Sequence, residues 1–465
     1  MKAARPGRPA RSLMKAMRAD KDYITVIGAG LAGCEAASLI ASFKIPVKLY
    51  EMKPVRRSPA HKTDLYGELV CSNSLRAAAL TNAVGLLKEE LRRMGSLIME
   101  AADKAEVPAG GALAVDRTEF SGYITEKIRN NPYIEVISEE VEKIPETGIV
   151  IVASGPLTDG KLYEDIMRIT GDSDLHFFDA AAPIIAFNSI NMDKAFFASR
   201  YGKGGNDYIN CPMNEEEYKD FYNALITAEC VPMGGVDKIN VFEGCMPIEV
   251  MASRGEDTMR FGPLKPVGLT DPKTGEEPYA CLQLRQDDRA KSMYNMVGFQ
   301  TRLKFGEQRR VFGMIPGLEN AEFMRYGVMH RNTYLNSPKL LNKNYSLRSD
   351  GRIFFAGQIT GVEGYIESTG SGFLAGYYAA MKFKGLEPDI DFDDETVIGS
   401  MARYVSDSTI NKFVPMNANF GIVKTMPGKF KGKTAKQDKN SAIAQRSLAK
   451  IDEFSDIIKR AQEAL

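Results

Sequence analysis

The segment 22–53, DYITVIGAGLAGCEAASLIASFKIPVKLYEMK, constrains the fold more than any other part of the chain. Its hydrophobic pattern predicts a strand at Tyr23–Ile27, a helix at Leu31–Phe43 and a second strand at Val47–Tyr50. A helix that connects two such strands forms a βαβ unit, in which the strands run parallel in one sheet. The segment therefore predicts an α/β fold of the dinucleotide-binding type.

The turn between the predicted strand and helix carries the glycine pattern G-x-G-x-x-G. Gly28 permits a tight turn, Gly30 lets the backbone approach a pyrophosphate, and Gly33 lets the helix pack closely on the strand. The phosphates are expected at the helix N-terminus, where unpaired N–H groups and the helix dipole favour an anion. The predicted cofactor-binding residues of this turn are Gly28, Ala29, Gly30, Leu31, Ala32 and Gly33.

Two further features narrow the choice of dinucleotide. The carboxylate of Glu51, after the second strand, can accept hydrogen bonds from ribose hydroxyls and disfavours a 2′-phosphate, which indicates FAD or NAD(H). Near the other end of the chain, a predicted strand at Arg352–Ala356 runs into a turn with Gly357 and Gln358, followed by a helix of small residues. Many flavoproteins close their FAD site in this way, so FAD is favoured.

Both ends of the chain thus contribute to one predicted FAD-binding domain. Residues 172–330 lack the strand–helix alternation and hold short strands, acidic helices and loops rich in glycine and proline. The predicted fold class is α/β, with a Rossmann-like FAD-binding domain of the two-dinucleotide-fold type and an inserted α+β domain. The predicted boundaries are a disordered basic extension at 1–21, the FAD-binding domain at 22–171 and 331–465 with a helical C-terminal region, and the inserted domain at 172–330.

The charge balance bears on possible partners. Lys and Arg together number 60, as do Asp and Glu, so nucleic-acid binding would need a local basic patch. Two segments offer one: 424–439, with six lysines and one aspartate, and 302–310, RLKFGEQRR. The apolar runs are far shorter than the roughly 18 residues that cross a bilayer, so no membrane partner is predicted.

Six cysteines, at positions 34, 71, 211, 230, 245 and 281, are scattered along the chain, and the three histidines lie far apart. This spacing argues against a metal site. In a chain without a secretory signal the thiols are expected to be reduced, which predicts a cytoplasmic protein. Cys245 follows a glycine in NVFEGCMPIEV, and the residues alone leave open whether it is a buried core thiol or a nucleophile.

Nine strings between residue 23 and the C-terminus resemble the TrmFO family, the folate- and FAD-dependent tRNA (uracil-5-)-methyltransferases. They are VIGAGLAGCEAA, ELVCSNSLR, LTNAVGLLKEEL, DYINCPM, FEGCMPIEVMASRG, TMRFGPLKPVGL, MIPGLENAEFMRYGVMHRNTY, AGQITGVEGYIES and PMNANFGI. The strings are long and unrelated to one another, so the resemblance is specific. It covers nearly the whole chain apart from the basic N-terminal extension.

The resemblance implies an activity. FAD, reduced by NAD(P)H, would take a methylene group from 5,10-methylenetetrahydrofolate and deliver it to C5 of the T-loop uridine at position 54 of tRNA, forming ribothymidine. The alternatives are the same chemistry on a uridine of large-subunit rRNA and the wobble-uridine modification of the related GidA group. A small-molecule flavin oxidoreductase and an RNA-binding factor with structural FAD are more distant alternatives. No obligate protein partner is inferred. The NAD(P)H pocket stays unassigned because no second glycine fingerprint follows a strand, and the folate pocket because its stacking aromatic residues cannot be chosen among 42 Phe and Tyr residues.

The methylation of uracil at C5 requires a nucleophile and a base, and cysteines can serve as both. C5 of uracil attacks a methylene donor only after a thiolate has added to C6, and a base must then remove the C5 proton. The family motifs match Cys245 and Cys71, and we predict Cys245 as the nucleophile and Cys71 as the proton acceptor near the flavin. The two roles could be exchanged. Arg254 and Lys265 are candidates for lowering the pKa of the Cys245 thiol, and the other four cysteines are expected to be structural.

Overall fold

The computed structural model describes residues 22–58, 60–171, 175–202, 205–232, 246–428 and 430–463, with the backbone alone at 175–179 and 330–331. The predicted extension at 1–21 and the predicted nucleophile Cys245 lie outside the described residues. In the described part, none of the helices combines the length and the apolar composition needed to span a membrane.

The strands, in chain order, are β1 (Ile24–Ile27), β2 (Val47–Glu51), β3 (Ser74–Ala77), β4 (Glu106–Val107), β5 (Ala112–Val115), β6 (Ile134–Ser138), β7 (Ile149–Val152), β8 (Leu175–Ala180), β9 (Ile184–Ala186), β10 (Phe196–Ala198), β11 (Tyr208–Met213), β12 (Ala280–Gln286), β13 (Met293–Met296), β14 (Phe323–Arg325), β15 (Met329–Tyr334) and β16 (Ile353–Phe355).

The α-helices, in chain order, are α1 (Leu31–Ser42), α2 (Ala83–Arg93), α3 (Leu97–Lys104), α4 (Arg117–Asn130), α5 (Gly160–Thr170), α6 (Glu215–Ile226), α7 (Ile248–Ala252), α8 (Phe305–Phe312), α9 (Ser337–Leu340), α10 (Tyr365–Lys384), α11 (Val397–Tyr404) and α12 (Ala435–Glu463).

A five-stranded parallel sheet, in the order β16-β7-β1-β2-β6, contains the predicted βαβ unit. The predicted bounds of β1, α1 and β2 agree with the observed ones to within one residue at each end. β16 pairs with β7, so a strand from the late part of the chain extends the sheet that the early part begins. The predicted α/β fold class with an FAD-type parallel sheet and an inserted region of other sheets is confirmed.

The inserted region is built on a six-stranded antiparallel sheet, in the order β10-β11-β12-β13-β9-β14. Its buried side chains form a hydrophobic cluster of their own, in which the rings of Phe221, Phe299 and Phe312 contact one another in sequence. The chain enters this region by β8 and leaves it by β15, and these two strands pair with each other in antiparallel orientation. A third sheet, β3-β5-β4, lies between β2 and β6 in the chain.

Helices α1 and α10 approach each other without large side chains between them. A Cβ atom on Gly372 would lie 2.3 Å from the carbonyl oxygen of Ala32, and one on Gly376 would lie 2.9 Å from the Cα atom of Ala36. Both distances are shorter than any contact that a real side chain makes. The small residues that the sequence shows on both helices are therefore required by the closeness of the two backbones.

We expect the substitution Gly372→Ala to lower the free energy of unfolding by about 1–3 kcal/mol, because the new methyl group forces two backbones apart. The matched control is Gly306→Ala in α8, where a Cβ has no atom within 4 Å. Alanine is favoured over glycine in a helix by up to ~1 kcal/mol, so the control should be neutral or stabilising. Chemical denaturation of both variants measures the difference, and equal stabilities would contradict the packing argument.

A buried carboxylate, Glu90 of α2, joins three helices. Its two oxygens accept hydrogen bonds from the N–H groups of Val397 and Ile398, at 2.7 and 2.8 Å, in the first turn of α11, and one oxygen also accepts from the hydroxyl of Ser447 in α12. Burial raises the pKa of Glu90 from 4.5 to about 7, although these hydrogen bonds oppose the shift. Burial also raises the pKa of Glu35, in α1, to about 7.

A carboxyl group with a raised pKa in the folded state stabilises the fold most fully below its unfolded pKa, near 4.5, and this contribution is lost as the pH rises through 7. We therefore expect the wild-type protein to lose stability between pH 5 and pH 8. The variant Glu90→Gln does not titrate, so this pH dependence should be weaker, and Glu35 should supply what remains. Thermal unfolding across this pH range is the measurement, and an unchanged slope in the variant would contradict the assignment.

Candidate functional site

A cavity with an empty volume of about 1210 Å³ opens at the carboxyl ends of the parallel strands. The volume includes space that is open to solvent, and the cavity runs along the ends of several strands, as an extended ligand such as a dinucleotide requires. Its walls come from separate parts of the chain: residues 27–32, 50–53, 139–141, 153–159, and 357–358 together with the first turn of α10. Ligands bind at this edge of open α/β sheets in general.

The glycine turn has the geometry of a phosphate site. Gly28 has a φ of +101°, and a Cβ there would lie 2.5 Å from the carbonyl oxygen of Ala153. Gly30 is the N-cap of α1, has no side-chain cap, and has no atom within 4 Å of the place where a Cβ would stand. Gly33 does not line the cavity; a Cβ on it would lie 1.8 Å from the carbonyl oxygen of Gly28, so its role is to let α1 pack on the turn.

Glu51 lines the cavity and is held in place by the backbone. One carboxylate oxygen accepts a hydrogen bond from the N–H of Ala29 at 2.8 Å, and the other accepts from the N–H of Lys53 at 3.0 Å. The side chain is 6% exposed, so its position is fixed before any ligand arrives. Each oxygen keeps a lone pair that can accept from a ribose hydroxyl.

The opposite wall of the cavity carries Gly357 and Gln358, the two cofactor-binding residues predicted near the C-terminal end of the chain. Gly357 has a φ of +85°, and its N–H donates to the hydroxyl of Ser371 at 2.7 Å. The amide of Gln358 donates to the carboxylate of Glu363 at 2.6 Å. Both residues line the cavity, beside the N-terminus of α10. The structure thus brings all the predicted cofactor-binding residues except Gly33 to one cavity wall or the other.

Arg56 bridges the loops that follow three strands of the parallel sheet. Its guanidinium donates two hydrogen bonds to the carboxylate of Asp159, both at 2.8 Å, and a third to Glu140. All three residues line the cavity. Because the ion pairs connect the loops after β2, β6 and β7, we call this group the Arg56 clasp. The Arg56 clasp is not apparent from the sequence, because the partners are 84 and 103 residues away from Arg56.

Cys71 lies at the end of the cavity where α10 begins. Its backbone N–H donates to the hydroxyl of Tyr365 at 2.8 Å, and the N–H of Ser72 donates to the same hydroxyl at 3.2 Å. Tyr365 and Val70 line the cavity, and the side chain of Cys71 is half-buried beside them. Burial raises the pKa of Tyr365, so this phenol stays protonated.

Three arginines from distant parts of the chain hold the segment 69–73. Arg117 donates to the carbonyls of Leu69 and, at 3.3 Å, Cys71. Arg285 donates to the Ser72 hydroxyl at 2.7 Å, and Arg325 donates to the carbonyl of Val70. No pattern near Cys71 signals these contacts, because the arginines are between 46 and 255 residues away from the atoms that they bind.

The charge around Cys71 is positive. Arg117 forms an ion pair with Asp287 at 3.0 Å, which neutralises one of the three guanidinium groups. Arg285 and Arg325 bind neutral oxygens at this segment, and Asp287 is the one carboxylate of the described residues that acts on all three arginines, so the group keeps a net positive charge. Nearby cations favour the thiolate form of a cysteine. This arrangement can therefore support a thiol that reacts or that exchanges a proton.

The other described cysteines are in different surroundings. Cys34, Cys211 and Cys281 are buried, and burial raises the pKa of each thiol, that of Cys281 to about 12. Cys230 is half-buried, and its pKa is also raised by burial. Thiols of this kind are weak nucleophiles at neutral pH.

Although Cys245 itself lies outside the described residues, the ends of its segment are anchored. The N–H of Val231 donates to the carbonyl of Arg302 at 2.9 Å, and the N–H of Ile248 donates to the carbonyl of Gln300 at 2.7 Å. The chain thus leaves for the Cys245 segment and returns from it beside residues 300–302. Arg254 and Lys265, proposed from sequence to act on Cys245, are both exposed.

Comparisons with known proteins agree with one another. The family model described as glucose inhibited division protein A matches residues 23–387. A protein named methylenetetrahydrofolate–tRNA-(uracil-5-)-methyltransferase TrmFO from Acetivibrio thermocellus is 60% identical over 433 residues, which are 93% of this chain and 98% of that protein. A protein of the same name from Listeria innocua is 58% identical over 442 residues, which are 95% of this chain and 99% of that protein.

Among solved structures, Aquifex aeolicus GidA in its form I crystal is similar to this chain, with a TM-score of 0.67 and 18% sequence identity. The match covers 95% of this chain and 78% of that one. At this level of identity the similarity establishes the fold alone.

We expect the substitution Arg56→Gln to speed the release of bound FAD, because the clasp no longer joins the loops around the cavity. Exposed ion pairs contribute roughly 0.2–1 kcal/mol each, and Arg56 forms two of them, so the dissociation rate should rise about 2- to 30-fold. The matched control is Arg57→Gln, which removes the neighbouring ion pair with Asp64 outside the cavity and should change nothing. Flavin fluorescence after dilution, at low and high salt, is the measurement, and equal rates for the two variants would contradict a role for the clasp.

Proposed function

We infer that this chain, which belongs to the TrmFO family of methylenetetrahydrofolate–tRNA-(uracil-5-)-methyltransferases, methylates C5 of a uracil in tRNA with a one-carbon unit from folate. The observation that carries this function is the identity of 56–60% over more than nine-tenths of the chain. The related GidA structures are 16–18% identical to it, and the wobble-uridine alternative is not favoured. The relatives' names specify tRNA, so an rRNA target is not favoured either.

The described residues fit FAD as the cofactor. The open space at Gly30 and the uncapped start of α1 suit a pyrophosphate, and the fixed carboxylate of Glu51 suits a ribose. Gly357 and Gln358 lie on the wall where the ring system would lie, beside the start of α10. When bound, FAD reduced by NAD(P)H supplies the electrons that convert a methylene group from 5,10-methylenetetrahydrofolate into a methyl group.

The remaining chemistry requires a protein nucleophile, for which we propose Cys245. Its thiolate would add to C6 of the uracil, which turns C5 into a carbon nucleophile. Once C5 has accepted the one-carbon unit, removal of the C5 proton lets the thiolate leave from C6. This role for Cys245 rests on the uracil chemistry and the family motif, and the anchored ends of its segment beside residues 300–302 are compatible with it.

For the proton acceptor we propose Cys71. Its side chain is half-buried at the end of the cavity, and the guanidinium groups of Arg285 and Arg325 bind oxygens of the neighbouring residues Ser72 and Val70. An anionic Sγ can accept the C5 proton. The reverse assignment, with Cys71 as nucleophile and Cys245 as acceptor, is the alternative.

The target is the T-loop uridine, and the product is ribothymidine, as the family resemblance implies. The enzyme works in the cytoplasm, which is supported by the five described cysteines forming no disulfide.

Residues 22–171 and 331–465 form the FAD-binding domain, and residues 172–330 form the inserted domain; the pairing of β8 with β15 supports these boundaries.

The decisive assay follows labelled carbon from 5,10-methylenetetrahydrofolate into a tRNA transcript in the presence of NAD(P)H. We expect label in tRNA and none in a large-subunit rRNA fragment. Label in the rRNA alone would replace the tRNA target, and no label in either RNA, with a flavin that NAD(P)H reduces, would contradict the methyltransferase function.

We expect both Cys71→Ala and Cys245→Ala to bind FAD with a normal absorbance spectrum and to lose at least ~100-fold in label transfer, as is usual when an acid–base group or a nucleophile is removed. Only loss of the nucleophile should abolish the covalent complex with tRNA that contains 5-fluorouridine. Cys230→Ala, another half-buried cysteine, is the control and should stay fully active. A fully active alanine variant at position 71 or 245 would end the proposal for that residue.

A further inference from the structure

Three aromatic rings of the inserted region form a continuous stack that ends at the surface. The rings of Phe323 and Tyr326 are nearly parallel, at 5° with centroids 5.1 Å apart, and the ring of Phe305 stacks on Tyr326 at 19° and 4.5 Å. Phe305 is 54% exposed. The outermost ring of the stack is therefore a large apolar side chain that water contacts.

The position of the stack is fixed by the side chain of Gln308, which is fully buried. Its amide nitrogen donates to the carbonyls of Leu303 and Gly327, at 2.7 and 2.9 Å, and its amide oxygen accepts from the N–H of Gly327 at 2.8 Å. These bonds fix helix α8, which carries Phe305, against the segment that carries Tyr326. A ligand that packs on this aromatic stack meets side chains that are already ordered, so binding loses little side-chain entropy.

One cation beside the stack is not balanced by a carboxylate of the described residues. The guanidinium group of Arg309 donates to the hydroxyl of Tyr326 and lies 5.4 Å from its ring centre. Lys304 and Arg310 are paired with the carboxylates of Glu229 and Glu307, whereas Arg309 has no carboxylate partner among the described residues. Arg309 is exposed and can therefore bind an additional anion.

Residues next to the stack contact the segment that carries Cys71 and the described ends of the segment that carries Cys245. Arg325, next to Tyr326, reaches the carbonyl of Val70, the neighbour of Cys71. The Cys245 segment is anchored at residues 300–302, just before Phe305. Because Arg325 connects the stack to the segment that carries Cys71, a polynucleotide whose uracil lies at Cys71 can extend toward Phe305.

We propose that the exposed face of Phe305 binds an unpaired nucleobase of the tRNA next to the target uridine, and that Arg309 binds the adjacent phosphate. This inference rests on the proposed function and locates its RNA on the protein. Every nucleobase has an apolar face, so such a site accepts any base and adds affinity without selecting a sequence. The combination of an open aromatic face and an unpaired guanidinium group suits a single-stranded polyanion.

The test measures binding of a fluorescent tRNA transcript to the FAD-loaded enzyme, which needs no catalysis. We expect Phe305→Ala to weaken binding about 5- to 150-fold, because stacking contributes that much per base, and Phe305→Tyr to bind as the wild type does. The control is Phe197→Ala, which truncates another exposed phenylalanine on β10, at the opposite edge of the same sheet from β14. Arg309→Gln should reduce the salt dependence of binding by about one phosphate contact.

Reduction of the flavin by NAD(P)H should be the same in all four variants, which checks that they are folded. Wild-type affinity in Phe305→Ala, or an equal loss in Phe305→Ala and Phe197→Ala, would overturn the stacking site. An unchanged salt dependence in Arg309→Gln would overturn the phosphate contact. If the wild-type enzyme bound no tRNA and transferred no label to it, the proposed function would fail instead, so the two failures are distinguishable.

Discussion

The contact between α1 and α10 determines where the two halves of the cavity lie. Their backbones are so close that a single methyl group on Gly372 would meet the carbonyl of Ala32. Each helix begins at the cavity, α1 at the glycine turn and α10 at Tyr365. Because Tyr365 also binds the backbone of Cys71, the spacing of the two helices fixes the distance between the phosphate end of the cavity and the thiol. The reactive end is thereby positioned in part by the glycine and alanine residues of this helix contact.

The sequence predicted the parts of the site that depend on local structure. The glycine turn, Glu51 and the turn at Gly357 can be read from short stretches because their roles follow from the strand or helix that each one ends or begins. The surroundings of Cys71 could not be read in this way. Arg285 and Arg325 reach it only because the inserted region folds against the segment 69–73, and no spacing in the chain expresses that contact. Gly33 shows that a fingerprint residue can serve packing without lining the cavity.

A chain with equal numbers of basic and acidic residues can still concentrate positive charge in selected places. On the outer surface, Lys304 and Arg310 are each paired with a glutamate, and Lys424 is paired with Glu395. At Cys71, by contrast, Arg285 and Arg325 are held by hydroxyl and carbonyl oxygens, which position a guanidinium group without cancelling its charge. Local potential is thus set by the kind of oxygen that each arginine binds and not by the overall composition.

The pairing of β8 with β15 has a consequence for the entropy of assembling the parallel sheet. Strands β7 and β16 are neighbours in that sheet, although about 200 residues separate them in the chain. After β8 and β15 have paired, the inserted region between them is no longer flexible chain. The loop that must then be closed consists of the residues between β7 and β8 and those between β15 and β16, about 40 in all. Loop-closure entropy scales with the logarithm of loop length. The pairing of β8 with β15 therefore lowers the entropic free-energy cost of adding β16 to the sheet by about 1.4 kcal/mol. The two-stranded ribbon therefore lets a long insertion interrupt a sheet at a small thermodynamic cost.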